Sequence, residues 1–181
     1  LFGNLRPGDE IFSPVGKPYD TLDQVIGIRP QCGSLREYGV SYRQADLKED
    51  GSFDFEAIRA GINEKTRLIE IQRSKGYSAR KTLSVDEIAE LIRFVKSVKP
   101  DVICMVDNCY GEFVERHEPS EYGADLMVGS LIKNPGGGLA PIGGYIAGKR
   151  EYIENAAYRL TAPGLGKELG ASLGVTRQFF Q

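Results

Sequence analysis

Apolar positions along the chain switch repeatedly between two periods. Glu10 to Val15 is a short apolar-rich run behind the turn signal Pro7-Gly8-Asp9, as suits a buried strand. Leu22, Val25 and Ile26 then repeat at helical spacing behind Asp20, a residue type that caps helix N-termini. Val40 to Ala45 alternates as a strand, Phe55, Ile58 and Ile62 mark the next helix, and Thr66 to Ile71 is rich in β-forming residues. After a polar loop, Ser84-Val-Asp-Glu87 has the spacing of a capping box before Ile88, Leu91, Ile92, Val95 and Val98. This is the clearest helix in the chain, and Pro100 stops it. Val102 to Val106 is a continuous apolar strand, with shorter ones at Asp125 to Val128 and Tyr145 to Ala147. Glu151 to Leu160 and Leu169 to Phe180 carry helical patterns.

Strands that alternate with helices, several of them apolar on both faces, predict the α/β class, with a mostly parallel sheet between helices in a three-layer α/β/α arrangement. No repeat or low-complexity tract interrupts the chain before about Thr161, where Ala-Pro-Gly-Leu-Gly begins a connection. The expectation is one domain over residues 1–160, with 161–181 leading toward a C-terminal region. The chain opens on Leu1 with LFGNLRPGDE, which reads as a helix tail and turn, so an interior fragment with its upstream segment missing is expected.

Composition narrows the partners. With 23 Lys and Arg against 25 Asp and Glu, the formal charge is −2, which points away from nucleic acid. The apolar fraction of 41% is enough for a packed core. A folded chain of this size buries roughly 70% of its unfolded surface. The longest apolar run is far below the ~20 residues of a membrane-spanning helix, so no membrane partner is expected. Cys32, Cys104 and Cys109 form no CxxC pair and fit a reducing, cytoplasmic setting. The 22 glycines exceed the roughly 7% average, a sign that backbone geometry matters.

Ligands of open α/β sheets bind beyond the carboxyl ends of the strands, and three such ends are loaded. Val102 to Val106 runs into Asp107-Asn-Cys-Tyr110-Gly-Glu112, and Asp125 to Val128 into Gly129-Ser130-Leu-Ile-Lys133-Asn-Pro-Gly-Gly-Gly138. Thr66 to Ile71 runs into Gln72-Arg-Ser-Lys-Gly-Tyr77. A carboxylate ending one apolar strand and a lysine in a Gly-rich loop after its neighbour are what pyridoxal 5'-phosphate chemistry requires. The lysine forms a Schiff base with the aldehyde, and the carboxylate keeps the ring nitrogen protonated. Ser130 is placed to reach the phosphate, and Gly136 to Gly138 allow close backbone approach. Asp107, Cys109, Glu112, Glu115 and His117 lack the paired spacings of metal sites, so no metal is assigned.

The segments VDNCYGEFVE and GADLMVGSLIKNPGGGLAPIGGYIAG, with LRPGDEIFSPVGKPYDTL upstream, resemble the fold-type I pyridoxal phosphate enzymes. The resemblance covers residues 1 to about 160 and is strongest to the methionine gamma-lyase-like group called aluminium resistance proteins. It implies the large domain of the pyridoxal phosphate-dependent transferase-like fold. It also implies Lys133 as the Schiff-base lysine, Asp107 as the partner of the ring nitrogen, and Tyr110 near the ring oxygen. Ser130 then falls at the phosphate and Tyr19 stacks on the ring. Ile132 stands where the better-known relatives carry a hydroxyl residue before the lysine, and Gln72-Arg-Ser-Lys-Gly-Tyr77 replaces their Asn-Pro pair, with Arg73 a candidate contact. The implied activity is carbon-sulfur elimination from a sulfur-containing amino acid, in a homodimer or homotetramer of the full-length protein. An aminotransferase, or a non-catalytic metal-stress protein on the same fold, remains as an alternative.

Overall fold

The computed structural model describes residues 1–169. Its core is a six-stranded sheet made of β1 (Glu10–Ser13), β2 (Ser41–Gln44), β3 (Thr66–Gln72), β4 (Ile103–Asp107), β5 (Leu126–Ser130) and β6 (Gly144–Gly148). The strand order is β2-β1-β3-β4-β5-β6; every neighbouring pair is parallel except β5 with β6, which is antiparallel. Four α-helices are described: α1 (Asp20–Ile26), α2 (Phe55–Gly61), α3 (Val85–Val98) and α4 (Arg150–Leu160). The helical pattern expected from Leu169 to Phe180 lies, beyond its first residue, outside the described residues.

The apolar runs become the central strands because both their faces are covered. On one face, Phe12, Ile69, Ile71, Cys104 and Val106 meet Ile58 of α2 and Ile88, Leu91, Ile92 and Val95 of α3. On the other, Ile11, Leu68, Met105 and Leu126 meet Leu22, Val25 and Ile26 of α1 and Tyr152 and Ile153 of α4. The expected three layers follow. β2 forms one end of the sheet order and is largely exposed, consistent with its polar sequence SYRQ.

Local signals explain most boundaries. The Ser84 hydroxyl accepts from the Glu87 N–H at 3.2 Å while the Glu87 carboxylate accepts from the Ser84 N–H at 2.9 Å, so the capping box forms. At α1 the N-cap is Tyr19, not Asp20; Asp20 sits in the first turn, where its charge complements the helix dipole. Asp125 precedes β5 instead of starting it. Its buried carboxylate accepts from the Cys104 N–H at 2.8 Å and pairs with Lys96 and Lys149 at 2.7 and 2.6 Å.

Beyond β1 the chain leaves to form β2 on one side, then returns to form β3 on the other. The order therefore reverses between β1 and β3, which opens a crevice at their carboxyl ends. The loops around that crevice are tied together by Arg73, which is 1% exposed. Its guanidinium donates to Asn108 Oδ1 at 2.8 Å, the Gly111 carbonyl at 2.9 Å, the Leu83 carbonyl at 3.3 Å and the Glu115 carboxylate at 2.5 Å. Glu115 also accepts from the Val85 N–H at 3.1 Å, at the first turn of α3. Gly111 has to be glycine here, since a Cβ at that position would collide with the guanidinium.

Arg73→Met removes the donor and leaves a buried amide oxygen, backbone carbonyls and a carboxylate without it. The expected loss is about 3 kcal/mol or more in urea denaturation. Arg73→Lys should recover little of it, because a single ammonium cannot span acceptors that a planar fork reaches.

Candidate functional site

Four strand ends converge on a cleft of about 590 Å³ whose lining includes Tyr19, Lys75, Tyr77, Asp107, Tyr110 and Lys133. Tyr19 follows β1, Lys75 and Tyr77 follow β3, Asp107 ends β4, and Lys133 follows β5. Residues far apart in sequence thus meet where the sheet topology directs them.

Asp107 is held by the backbone around it. Its carbonyl accepts from the Arg73 N–H at 3.0 Å, and its Oδ1 accepts from the Cys109 N–H at 3.1 Å, which turns the chain sharply after β4. The next residue, Asn108, is fully buried and takes up the Arg73 guanidinium, so the turn is anchored from below. Tyr110 adopts φ 68, an uncommon conformation for a non-glycine residue, and its ring is largely exposed to the cleft side. Lys133 Nζ lies 4.4 Å from the centroid of that ring.

Burial draws the Lys133 ammonium pKa down, but contact with Cys109 and the nearby Tyr110 and Asp107 outweigh it, and the net shift is upward. The Cys109 thiol is pushed up, first by burial and then by Asp107. The amine and the thiol thus lie close to the Asp107 carboxylate in the cleft.

Lys133 is fixed from behind. Asn134 donates to the Glu112 carbonyl at 3.1 Å, and the Glu112 carboxylate accepts from the Tyr145 hydroxyl at 2.8 Å. A Cβ on Gly129 would collide with both Glu112 and Tyr145, so glycine lets β5, β6 and the β4 loop close on one point. Tyr19 is set by its N–H, which donates to Gln72 Oε1 at 2.5 Å, and its ring lies 5.8 Å from that of Tyr77.

Of the residues singled out in the sequence, Tyr19, Asp107, Tyr110 and Lys133 meet in this cleft. Ser130 ends β5 outside its lining, with its hydroxyl 3.4 Å from the Ile132 N–H of its own loop. Arg73, a candidate for a contact at the site, faces away from the cleft and acts as the clamp described above. Glu115 belongs to that clamp, and His117 pairs with Glu121 at 3.1 Å. No group of three or more metal-ligating side chains occurs among the described residues. Two residues take roles not expected from the sequence: Gln72, within the third loaded strand end, orients Tyr19, and Glu70 is a buried acid beneath the cleft. The available signal was a charged residue inside the otherwise apolar run of β3.

The chain is 54% identical over 183 residues to the Bacillus subtilis protein YnbB, a match that takes in all of this chain and 44% of that protein. A solved carbon-sulfur lyase involved in aluminum resistance from Clostridium novyi NT superposes with a TM-score of 0.93 at 50% identity, over 99% of this chain and 43% of that one. A cystathionine gamma-lyase from Lactobacillus plantarum, at 22% identity and a TM-score of 0.66 over 90% of this chain and 40% of that one, shares the fold. The chain spans about half the length of the curated YnbB relative or less. The sequence model of the methionine gamma-lyase family matches residues 1–181, and the chain belongs to that family.

Proposed function

We propose that this chain carries the cofactor-binding part of a pyridoxal phosphate-dependent lyase that cleaves carbon-sulfur bonds in sulfur-containing amino acids. One observation carries the reading: the Lys133 amine and the Asp107 carboxylate line the same cleft although they come from different strand ends. The residues fit the group. An amine suits an aldehyde, a carboxylate suits a protonated ring nitrogen, and the face of Tyr19 suits a flat heteroaromatic ring. Family membership and the carbon-sulfur lyase from Clostridium novyi NT support the same direction.

When bound, pyridoxal phosphate supplies the electron sink that carbanion chemistry at Cα needs. Lys133 would hold the aldehyde, and its amine would move protons between Cα and the neighbouring carbon of the substrate. Asp107 would accept the ring N–H and hold that proton in place. Tyr110 stands beside Lys133, where its hydroxyl would serve the ring oxygen, and Tyr19 would cover the ring; Ser130, outside the cleft lining with its hydroxyl against its own loop, is assigned to the phosphate on the family resemblance alone. The three free cysteines agree with a cytoplasmic setting for the full-length protein.

Borohydride reduction of the full-length holoenzyme is expected to leave a pyridoxyl group on the tryptic peptide containing Lys133; label on Lys75 or Lys149 instead would refute the assignment. The reaction itself is read by adding cystathionine, methionine or cysteine. Keto acid released without a keto-acid acceptor marks a lyase, dependence on the acceptor marks an aminotransferase, and no product marks a non-catalytic protein.

Asp107→Ala should retain most of the cofactor yet exchange the substrate Cα proton at least about 100-fold more slowly. Exchange at the wild-type rate would show that Asp107 does not serve the ring nitrogen.

A further inference from the structure

Glu70 lies in the middle of β3, wholly buried, and neither carboxylate oxygen has a hydrogen-bond partner. The register pairs Gln72 with Asp107 and Glu70 with Met105. Side chains alternate along a strand, so Leu68 and Glu70 share one face with Met105 and Asp107. Glu70 is therefore the diagonal neighbour of Asp107, one step deeper into the sheet.

The groups facing Glu70 are few. Ser13 of β1 donates its hydroxyl to the Gly16 carbonyl at 2.6 Å. The Tyr42 hydroxyl on β2 donates to Gln44 at 2.9 Å, and its own ionisation is disfavoured first by burial and then by Glu70. Arg80 is the nearby cation, but its guanidinium donates to the carbonyls of Gln72, Ser74 and Lys81. In α1, on the same side of the sheet, Asp23 is held by Lys17 and Arg29. The Arg80 charge and the Ser13 hydroxyl offset a charge on Glu70 only in part, while Asp107 repels one.

Building on the proposed function, we propose that Glu70 is a positioning residue acting through Asp107: it stays protonated behind the aspartate, so that one negative charge and not two faces the ring nitrogen of the cofactor. Burial and then Asp107 push the Glu70 carboxyl up to about 8. Its ionisation therefore falls just above neutral pH. Above that point a second negative charge joins Asp107, and the ring nitrogen holds its proton more tightly. A raised carboxyl pKa in the native state means that the folded protein loses stability as pH rises from the ordinary carboxylate range toward 8. A neutral isostere removes that loss.

The test has a cofactor-free arm and a loaded arm, both on the full-length protein. Without cofactor, the infrared difference between wild type and Glu70→Gln should contain a protonated carboxyl band at pH 7 that fades as pH rises toward 9. In Asp107→Asn the same band should fade at lower pH, because the repelling charge is gone. Absence of the band at pH 7, or an unchanged midpoint in Asp107→Asn, overturns the proposal. With pyridoxal phosphate bound, the pH midpoint of its absorbance should differ by about one unit between wild type and Glu70→Gln. Superposable titrations overturn the proposal as well. A protein that takes up no pyridoxal phosphate refutes the proposed function, and with it the role of Glu70 toward the cofactor, while the cofactor-free arm still decides whether Glu70 is coupled to Asp107.

Discussion

The buried guanidinium of Arg73 is the interaction on which the site's geometry depends. A charged group taken out of water is tolerable only when its donors are satisfied, and these are satisfied by Asn108, Gly111, Leu83 and Glu115. That requirement runs in both directions. The guanidinium cannot be buried unless the chain after β4 turns back over it, and the turn cannot close unless the guanidinium fills it. Asp107 and Tyr110 bracket that turn, so their placement is a by-product of satisfying a charge on the neighbouring strand. Glu115 extends the constraint to the first turn of α3, which joins the loop to the larger of the two apolar clusters among the described residues.

A second polar link completes the frame. Glu112, on the same loop, receives the Tyr145 hydroxyl from β6, and its carbonyl receives Asn134, the residue after Lys133. The loop that carries the lysine is therefore positioned relative to Asp107 through partly buried hydrogen bonds. Burial also organises the charges. The Lys133 ammonium is favoured by Cys109, Tyr110 and Asp107, whereas the Glu70 carboxyl beneath them is driven toward its neutral form. Lys133 and Asp107 share the cleft, and burial and Asp107 push the deeper acid toward its neutral form near neutral pH.

Much of this was legible in the chain. The strand-to-helix alternation required a layered parallel sheet, because runs such as Val102 to Val106 need cover on both faces. The capping box at Ser84 marked the start of α3 for a purely local reason, a hydroxyl and a carboxylate three residues apart. The motifs around Asp107 and Lys133 were legible as strand-end chemistry. Asp20 was misread as a cap because the α1 boundary depends on where the preceding loop is pulled, and Gln72 pulls it from 53 residues away.

What the sequence determined alone was therefore the local and the periodic: the element types, the apolar faces, the loaded strand ends and the family likeness. Only the tertiary structure decided that Arg73 points away from the cleft while Gln72 points to Tyr19, since adjacent residues at the end of a strand take opposite faces and the choice is set by which face holds the acceptors. The same holds for Ser130, whose hydroxyl lies against its own loop. It holds most of all for Glu70. In sequence it is one acidic residue among 25; in the fold it is enclosed beside Asp107 without a partner, and the free energy of a buried charge depends on surroundings that no local pattern encodes.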